Sequence, residues 1–303
     1  MKKTTTAEIS KVLKQSESKL LRKSNVVGVG IGEKIKDGKR TGRTCLRVYV
    51  KKKVAKERLS KQDLVPPWIA EVETDVVEVG KIRPLASNRQ RSRPAGGGAS
   101  IGHYKITAGT LGCLVKDKKT GKTLILSNNH VLANSNEAQK GDSILQPGAA
   151  DGGKNPKDKI AELERWVEIG FGNKANTVDA AVALPLNDKE VSPAISSIGI
   201  PNGTVKGTIG LVIQKTGRTT DHTLGEIQDI NATVRVDYEG KTALFRNQLL
   251  TSAMSQGGDS GSLVLDRKRR AVGLLFAGSD LVTICNPIGD VCKLLDVERL
   301  EVK

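Results

Sequence analysis

The sequence predicts a mainly β protein in which a small basic α/β module precedes a long β-rich region. Glycine is abundant, with 32 of 303 residues, aromatic residues make up only 3% of the chain, and short runs of Val, Ile and Leu are separated by Gly, Asn and Asp. This composition is typical of many short strands joined by turns. Charge is uneven, because residues 1–95 hold 24 Lys and Arg against 10 Asp and Glu, whereas residues 96–303 hold 25 against 23. The chain therefore divides into a strongly basic N-terminal part and a nearly neutral remainder.

Residues 1–84 carry the patterns of the basic α/β module. Apolar residues at helical spacing predict an amphipathic helix over residues 5–22. The segments VVGVGIGEKI and CLRVYVKKK predict two strands joined by a turn, residues 54–63 predict a short helix, and AEVETDVVEVG at 70–80 predicts a third strand. The next segment, LASNRQRSRPAGGGAS at 85–100, has almost no large apolar residue and predicts a linker.

Residues 101–303 contain a series of β-favouring runs separated by turn residues. The runs are ITAGTLGCLV, KTLILSNNHVL, DSILQPG, TVDAAVALPL, GTIGLVIQKTG, LGEIQDINATVRVDY, QLLTSAM and AVGLLFAG. Many short strands at regular spacing predict antiparallel barrels or a sandwich. The last segment, PIGDVCKLLDVERL, has helical periodicity and predicts a C-terminal helix.

The segment SQGGDSGSLVLD at 255–266 contains the strongest candidate for a chemical role, Ser260. A serine that attacks a carbonyl group must lie on a tight turn whose backbone N–H groups point at the developing oxyanion, and glycines allow that turn and leave room for substrate. The N–H groups of Gly258 and Ser260 are the predicted pair. A hairpin turn rich in Gly, Asp and Ser would have the same local sequence, so the hypothesis needs further residues.

A serine hydroxyl needs a general base, and the chain contains three histidines. His130 ends the apolar run TLILSNNHVL and is followed by apolar residues that would anchor it, whereas His103 and His222 lie in segments that predict solvated loops. The imidazole in turn needs a buried carboxylate to orient it, and Asp179 in NTVDAAVALPL is a lone charge entering an apolar run. A strand-end carboxylate bonded to backbone N–H groups is the alternative interpretation of Asp179.

The motifs SNNHVL, VDAAVALP and GGDSGSLV, in the order His130, Asp179, Ser260, resemble the chymotrypsin-like serine peptidases. Subtilisin-like enzymes have the order Asp, His, Ser and α/β-hydrolases the order Ser, Asp, His, so the order favours this fold over those two. The resemblance implies two antiparallel β-barrels, the first at 101–200 with His130 and Asp179, the second at 201–303 with Ser260 and the C-terminal helix. It also implies a serine endopeptidase that forms an acyl-enzyme intermediate.

The segments TAGTLGCLV, KTGRTT and VGLLFAGSD further resemble the intracellular trypsin-like peptidases of bacteria and their plant narrow-leaf-type relatives. The chain departs from the digestive enzymes at Ser262, where glycine is usual. The resemblance places a specificity pocket with Met254 at its base and Phe276, Ala277 and Gly278 along one wall. None of these side chains is acidic, so we expect cleavage after uncharged residues rather than after Lys or Arg.

No cofactor and no metal site are predicted. The four cysteines show no C-x-x-C spacing, so free thiols are expected, and Glu33 interrupts the G-x-G-x-x-G pattern of dinucleotide-binding folds. Residues 1–23 lack the apolar core of a signal peptide, and no run of 18 apolar residues occurs in the chain. These features predict a cytoplasmic protein with no transmembrane segment.

A protein or peptide substrate is the predicted partner. The positive charge of residues 1–84 predicts either a solvated surface that aids solubility or a site for an acidic partner or nucleic acid, and a homo-oligomer is left open. An inert protease scaffold that binds through its basic part is the alternative function. The intact set of His130, Asp179 and Ser260 argues against that alternative.

Overall fold

The computed structural model describes residues 5–36, 39–80 and 88–299. These residues form three α-helices and 21 β-strands, and the chain separates into two compact units, residues 1–85 and 86–303. The boundary that the sequence predicts after residue 84, and the start of the predicted linker, lie outside the described residues. The division into module, linker and two barrels by residue number stays a prediction.

The first unit is an α/β module. Its elements are α1 (Thr6–Leu21), β1 (Val26–Lys36), β2 (Lys39–Val50), β3 (Trp68–Ile69) and β4 (Val72–Glu78). Thr5 and Glu8 cap the start of α1 by reciprocal hydrogen bonds, and Ile9 and Leu20 of the helix are buried against the sheet. The sheet has the order β1-β2-β4-β3, in which only β2 and β4 run parallel.

The helix predicted over residues 54–63 is wrong. The segment contains only a single 3-10 turn, Lys56–Arg58, and none of its residues is buried. A short helix is marginal in water unless an apolar face packs against a partner, and this segment buries no such face.

The second unit contains two helices and the remaining strands. The elements are β5 (Ala95–Gly97), β6 (Ser100–His103), β7 (Gly109–Thr110), β8 (Cys113–Asp117), β9 (Thr123–Ser127), α2 (Asn129–Leu132), β10 (Ser143–Leu145), β11 (Lys159–Trp166), β12 (Ala175–Asn176), β13 (Ala181–Pro185), β14 (Val191–Ile195), β15 (Val212–Gly217), β16 (Asp221–Tyr238), β17 (Lys241–Ser252), β18 (Leu263–Asp266), β19 (Ala271–Gly278), β20 (Val282–Pro287), α3 (Ile288–Leu294) and β21 (Val297–Arg299). Strand β5 lies within the segment for which the sequence predicts a linker, β6 begins at its last residue, Ser100, and Ala95 of β5 is fully buried.

Two antiparallel β-barrels form the second unit, which confirms the predicted fold class. The first sheet has the order β21-β8-β9-β13-β11-β10-β6-β7, and the second has the order β12-β17-β16-β15-β18-β19-β20. Pairing of β17 with β20 closes the second barrel. Each barrel encloses its own apolar core, and a further buried cluster combines side chains from both, such as Leu126 of β9 and Leu274 of β19.

The C-terminal segment is helical only in part. The predicted helix is present as α3, but the chain then enters β21, which pairs antiparallel with β8 of the first barrel. Within the described residues no helix combines the length and the apolar character needed to cross a membrane.

Candidate active site

His130 and Asp179 form a hydrogen-bonded pair in the first barrel. His130 lies on the short helix α2, directly after β9, and its Nδ1 is 2.6 Å from Asp179 Oδ2. The backbone N–H of His130 donates to the other carboxylate oxygen, Oδ1, at 3.2 Å. Because both oxygens bind the same residue and Asp179 is fully buried, the carboxylate can fix the orientation and the tautomer of the imidazole.

Side-chain amides hold the backbone of Asp179 from both sides. Asp179 N–H donates to Asn286 Oδ1 at 3.0 Å, and its carbonyl accepts from Asn128 Nδ2 at 2.7 Å. Asn286 is itself held by Gln248, whose Oε1 accepts from Asn286 Nδ2 at 2.7 Å. Asn286 and Gln248 belong to β20 and β17, so the second barrel fixes the aspartate of the first.

Ser260 lies in the turn between β17 and β18, where two glycines have positive φ angles. Gly258 has φ +93° and Gly261 has φ +94°, a region that L residues rarely adopt. A Cβ at Gly261 would also overlap Ser127 Oγ and the Thr110 carbonyl oxygen. The glycines of the motif are therefore required by the backbone conformation and by the close approach of the first barrel.

The backbone N–H groups of Gly258 and Ser260 in this turn are without an acceptor among the described residues. Asp259 N–H donates to the Gln256 carbonyl, Gly261 N–H to that of Leu275, and Ser262 N–H to that of Asp259, whereas Gly257 N–H also has no acceptor among the described residues. The pair at Gly258 and Ser260 is the one that the sequence predicts as an oxyanion site. Two free donors beside a serine hydroxyl are an arrangement that can stabilise a tetrahedral oxyanion.

Strand β7 links the Ser260 turn to the residue after His130, although no hydrogen bond joins Ser260 Oγ to His130 among the described residues. Strand β7 contacts both: Thr110 N–H donates to the Ser260 carbonyl at 2.7 Å, and Gly109 packs against the side chain of Val131, the residue after His130. Ser260 Oγ instead donates to the Phe276 carbonyl at 3.4 Å. Such a long bond is weak, and hydrogen bonds at catalytic serines commonly tighten only when substrate is bound.

Strand β19 offers an open edge next to Ser260. Ala277 and Gly278 pair with β20 on one side, whereas the pairing with β18 ends at Leu275. From Phe276 to Gly278 no strand of the described residues covers the other side. An extended peptide could add there as a further strand, with its main chain bonded to this edge.

Met254 is packed in the core of the second barrel and is only 4% exposed. Two hydroxyl groups lie next to it: Ser255 Oγ is 2.7 Å from Thr283 Oγ1, which also accepts from Met254 N–H at 3.1 Å. Gly278 faces Ser255, since a Cβ at Gly278 would lie 3.3 Å from Ser255 Oγ. The assignment of Met254 to the pocket base stays a prediction, and the sequence analysis did not identify the Ser255–Thr283 pair.

A buried ion pair holds the residue before Ser260. Lys215 Nζ is 3.1 Å from Asp259 Oδ2, and both side chains are fully buried. Burial alone would raise the pKa of the Asp259 carboxyl, but the Lys215 ammonium and hydrogen bonds from Thr220, Gln256 and Thr219 hold that pKa below its usual value. Burial lowers the pKa of Lys215 in spite of the Asp259 charge.

The other two histidines do not contact Ser260. The expectation that His103 lies in a solvated loop is wrong, because it is fully buried at the end of β6 with Nε2 3.1 Å from Asp142 Oδ2. His222 lies on β16, and its Nε2 is 3.1 Å from Gln214 Oε1. No group of three or more His, Cys, Asp or Glu side chains that could hold a metal ion occurs within residues 5–36, 39–80 and 88–299.

Sequence reasoning missed two residues that contact the site. Tyr238 donates from its hydroxyl to Asp179 Oδ2 at 2.8 Å, and no local pattern indicates this contact. Lys215 had a usable signal, since a lysine inside the apolar run GLVIQKTG needs a buried anion. Asp259, next to the nucleophile candidate, was the nearest motif residue that could supply it.

The comparisons with known proteins agree on the fold. The protease A of Thermobifida fusca shares 18% identity with a TM-score of 0.50, over 68% of this chain and 98% of that chain. The Nocardiopsis protease NAPase gives the same identity, coverage and TM-score. The chain has the two-barrel fold of the chymotrypsin-like serine proteases.

A plant relative is found at the level of sequence. The chain is 24% identical over 310 aligned residues to Protein NARROW LEAF 1 of Oryza sativa subsp. japonica, covering 86% of this chain and 52% of the relative. The chain thus spans about half the length of this curated relative. The resemblance to plant narrow-leaf-type proteins is confirmed, while no family model matches the chain.

Proposed function

We propose that the chain is a serine endopeptidase in which Ser260 is the nucleophile, His130 the general base and Asp179 the residue that orients the histidine. The observation that carries the proposal is the pairing of His130 Nδ1 with the fully buried Asp179 at 2.6 Å, beside a glycine turn that presents Ser260. A histidine bonded in this way through Nδ1 keeps Nε2 available to accept a proton.

Hydrolysis would proceed in two halves. Rotation of the Ser260 side chain away from the Phe276 carbonyl lets Oγ attack the scissile carbonyl carbon while His130 Nε2 takes its proton. The C–N bond then breaks as His130 returns the proton to the leaving amine, which leaves an ester on Ser260. Water deprotonated by His130 attacks this ester, and the acid product leaves as the proton returns to Ser260 Oγ.

The N–H groups of Gly258 and Ser260 would hold the oxyanion in both halves. Their freedom from protein acceptors supports this role, because preorganised donors cost no reorganisation when charge develops. The open edge of Phe276, Ala277 and Gly278 would bind the substrate main chain, with an uncharged residue in the adjoining pocket at Met254.

Labelling with a fluorophosphonate probe tests the proposal. We expect the full chain to be labelled at one site, identified as Ser260 by peptide mass spectrometry, and Ser260→Ala to be unlabelled. Ser279→Ala is the matched control, since Ser279 is exposed just after the end of β19. Its loss should leave labelling unchanged. A folded wild-type protein that takes up no label would instead support the inert scaffold.

A cytoplasmic location is part of the proposal. All four cysteines are free, and those at 45, 113 and 285 are buried. Burial raises the pKa of the Cys285 thiol to about 12, so this thiol is unreactive. Free thiols are usual in a reducing compartment, where disulfides are rare.

The first unit is proposed to bind an acidic partner or nucleic acid. Lys51, Lys52 and Lys53 are all exposed at the end of β2, and the backbone at Lys51 and Lys52 is bonded to Asn25, just after the basic end of α1. This brings two basic segments that are distant in sequence to one end of the module.

Charge reversal at these lysines tests that binding. Changing Lys51, Lys52 and Lys53 to Glu should reduce the slope of log affinity against log salt for single-stranded DNA by about 2. The same reversal at the exposed Lys116, Lys118 and Lys119 of the second unit is the control. If the slope of log affinity against log salt is the same in both triple variants, the lysines after β2 form only a solvated surface. If the variant at Lys51, Lys52 and Lys53 loses binding to an acidic peptide but not to DNA, the partner is a protein.

A further inference from the structure

The hairpin of β16 and β17 reaches the first barrel at its tip. Tyr238 ends β16, and Lys241 begins β17 after a two-residue turn. Just behind the tip, Thr242 accepts from Gly172 N–H at 2.7 Å, and Leu244 and Phe245 pair parallel with β12. Strand β12 lies only a few residues before Asp179, so the tip is attached to the segment that carries this aspartate.

Tyr238 places its hydroxyl on the same carboxylate oxygen that binds His130. Its OH donates to Asp179 Oδ2 at 2.8 Å, and His130 Nδ1 lies 2.6 Å from that oxygen. Burial, and then the charge of Asp179, raise the pKa of the Tyr238 hydroxyl. The phenol therefore stays neutral, and it acts as a hydrogen-bond donor at any pH at which the protein would work.

The ring of Tyr238 is fixed by three aromatic neighbours. It lies edge-on to His130 with centroids 5.8 Å apart and an interplanar angle of 69°, and edge-on to Phe171 at 5.9 Å. The ring of Phe245 is tilted against it with centroids 6.3 Å apart. Edge-to-face packing of this kind restrains a ring, so the hydroxyl is held on Asp179 by packing that does not depend on the hydrogen bond.

We propose that Tyr238 is a positioning residue of the active site, which holds the Asp179 carboxylate in the rotation that orients His130. Asp179 is fully buried, so its charge depends on the donors around it: His130 N–H, His130 Nδ1–H and the Tyr238 hydroxyl. Loss of the hydroxyl removes one of these three donors and leaves only His130 to hold the rotation of the carboxylate. The inference rests on the proposed peptidase function. Through Tyr238 the second barrel would contact the triad directly.

The substitution Tyr238→Phe tests the inference, because it removes the hydroxyl and keeps the ring. We expect the melting temperature to stay close to that of wild type and kcat to fall about tenfold with KM unchanged, as for the loss of a hydrogen bond to a charged group. The low-field proton resonance of His130 Nδ1–H should shift or broaden. Tyr104→Phe is the matched control, since Tyr104 stacks on His103 of the other His–Asp pair with centroids 4.6 Å apart.

The outcomes separate this inference from the proposed function. If kcat and the His130 resonance are both unchanged in Tyr238→Phe while wild type cleaves peptide, the positioning role is overturned and the peptidase stands. If wild type neither cleaves nor reacts with the fluorophosphonate, the peptidase proposal fails, and the His130 resonance still reports whether Tyr238 controls the pair. A lower melting temperature with unchanged kcat would assign the Tyr238 hydroxyl to stability alone and would also overturn the inference.

Discussion

Replacing Asp179 with Asn is expected to lower kcat/KM by about 10⁴-fold while the protein stays folded, as in serine-peptidase triads generally. Asp179 Oδ2 accepts from both His130 Nδ1 and Tyr238, and Oδ1 accepts from the His130 backbone N–H. An asparagine has one oxygen and one NH2 group in place of the two carboxylate oxygens. At one of the two positions its NH2 group therefore faces another hydrogen-bond donor. If the NH2 group faces Nδ1, the imidazole is forced into the tautomer that carries its proton on Nε2.

The measurement is steady-state cleavage of a peptide or ester substrate, with circular dichroism to confirm folding. A histidine with its proton on Nε2 has no lone pair for the Ser260 proton, so the loss should appear in kcat and leave KM nearly unchanged. The structure offers a matched control in Asp142→Asn, which makes the same change in the His103–Asp142 pair of the first barrel. Equal activity losses in the two variants would show a general effect on the barrel and would contradict the triad assignment.

Most of the fold could be predicted because short apolar runs mark strands that are buried along most of their length. The β-favouring runs around β8, β9, β13 and β19 are rich in Val, Leu and Ile, and their side chains contribute to the buried cores of the two barrels. Strand β11 (Lys159–Trp166) was not predicted. Its sequence, KIAELERW, contains helix-forming residues, and pairing with β10 and β13 overrides that local preference.

Some residues of the candidate site are marked by local sequence motifs, whereas others are identified only by their contacts in the folded chain. Ser260, His130 and Asp179 are each marked by a motif of a few residues, so their identity could be predicted even though their roles stay a proposal. Tyr238 and Lys215 act through contacts that depend on how β15 and the β16–β17 hairpin fold back. A single sequence shows no pattern for the Tyr238 contact, and for Lys215 it shows only that a lysine in an apolar run needs a buried anion.

Lys215→Met is expected to destabilise the protein by about 3 to 5 kcal/mol and to slow acylation of Ser260 in the protein that remains folded. Lys215 is the cation that faces Asp259 in a fully buried pair at 3.1 Å. Removing it leaves a buried carboxylate without its counter-charge. Urea unfolding gives the stability, and the rate of fluorophosphonate labelling gives the effect on the site. Lys140→Met, which breaks the exposed pair with Glu164, should change stability by less than about 1 kcal/mol and leave labelling unchanged.

The effect on acylation follows from what Asp259 binds. Its Oδ2 accepts from Gln256 N–H at 3.0 Å, and its Oδ1 accepts from Thr219 N–H at 2.8 Å. Asp259 thus joins the turn that carries Ser260 to the turn that follows β15, and it lies between the two free N–H groups of Gly258 and Ser260. A shift of Asp259 would turn both donors away from the oxyanion position, and losing such donors costs about 10²- to 10³-fold.

A double variant separates charge from shape in this pair. In Lys215→Met with Asp259→Asn neither buried group is ionised, so the double variant should be more stable than the sum of the single changes predicts, by more than about 1 kcal/mol. Acylation should stay slow, because an asparagine replaces one of the two carboxylate oxygens that bind Thr219 and Gln256 with a donor. Labelling at the wild-type rate in folded Lys215→Met would show that the ion pair stabilises the barrel without positioning the Ser260 turn.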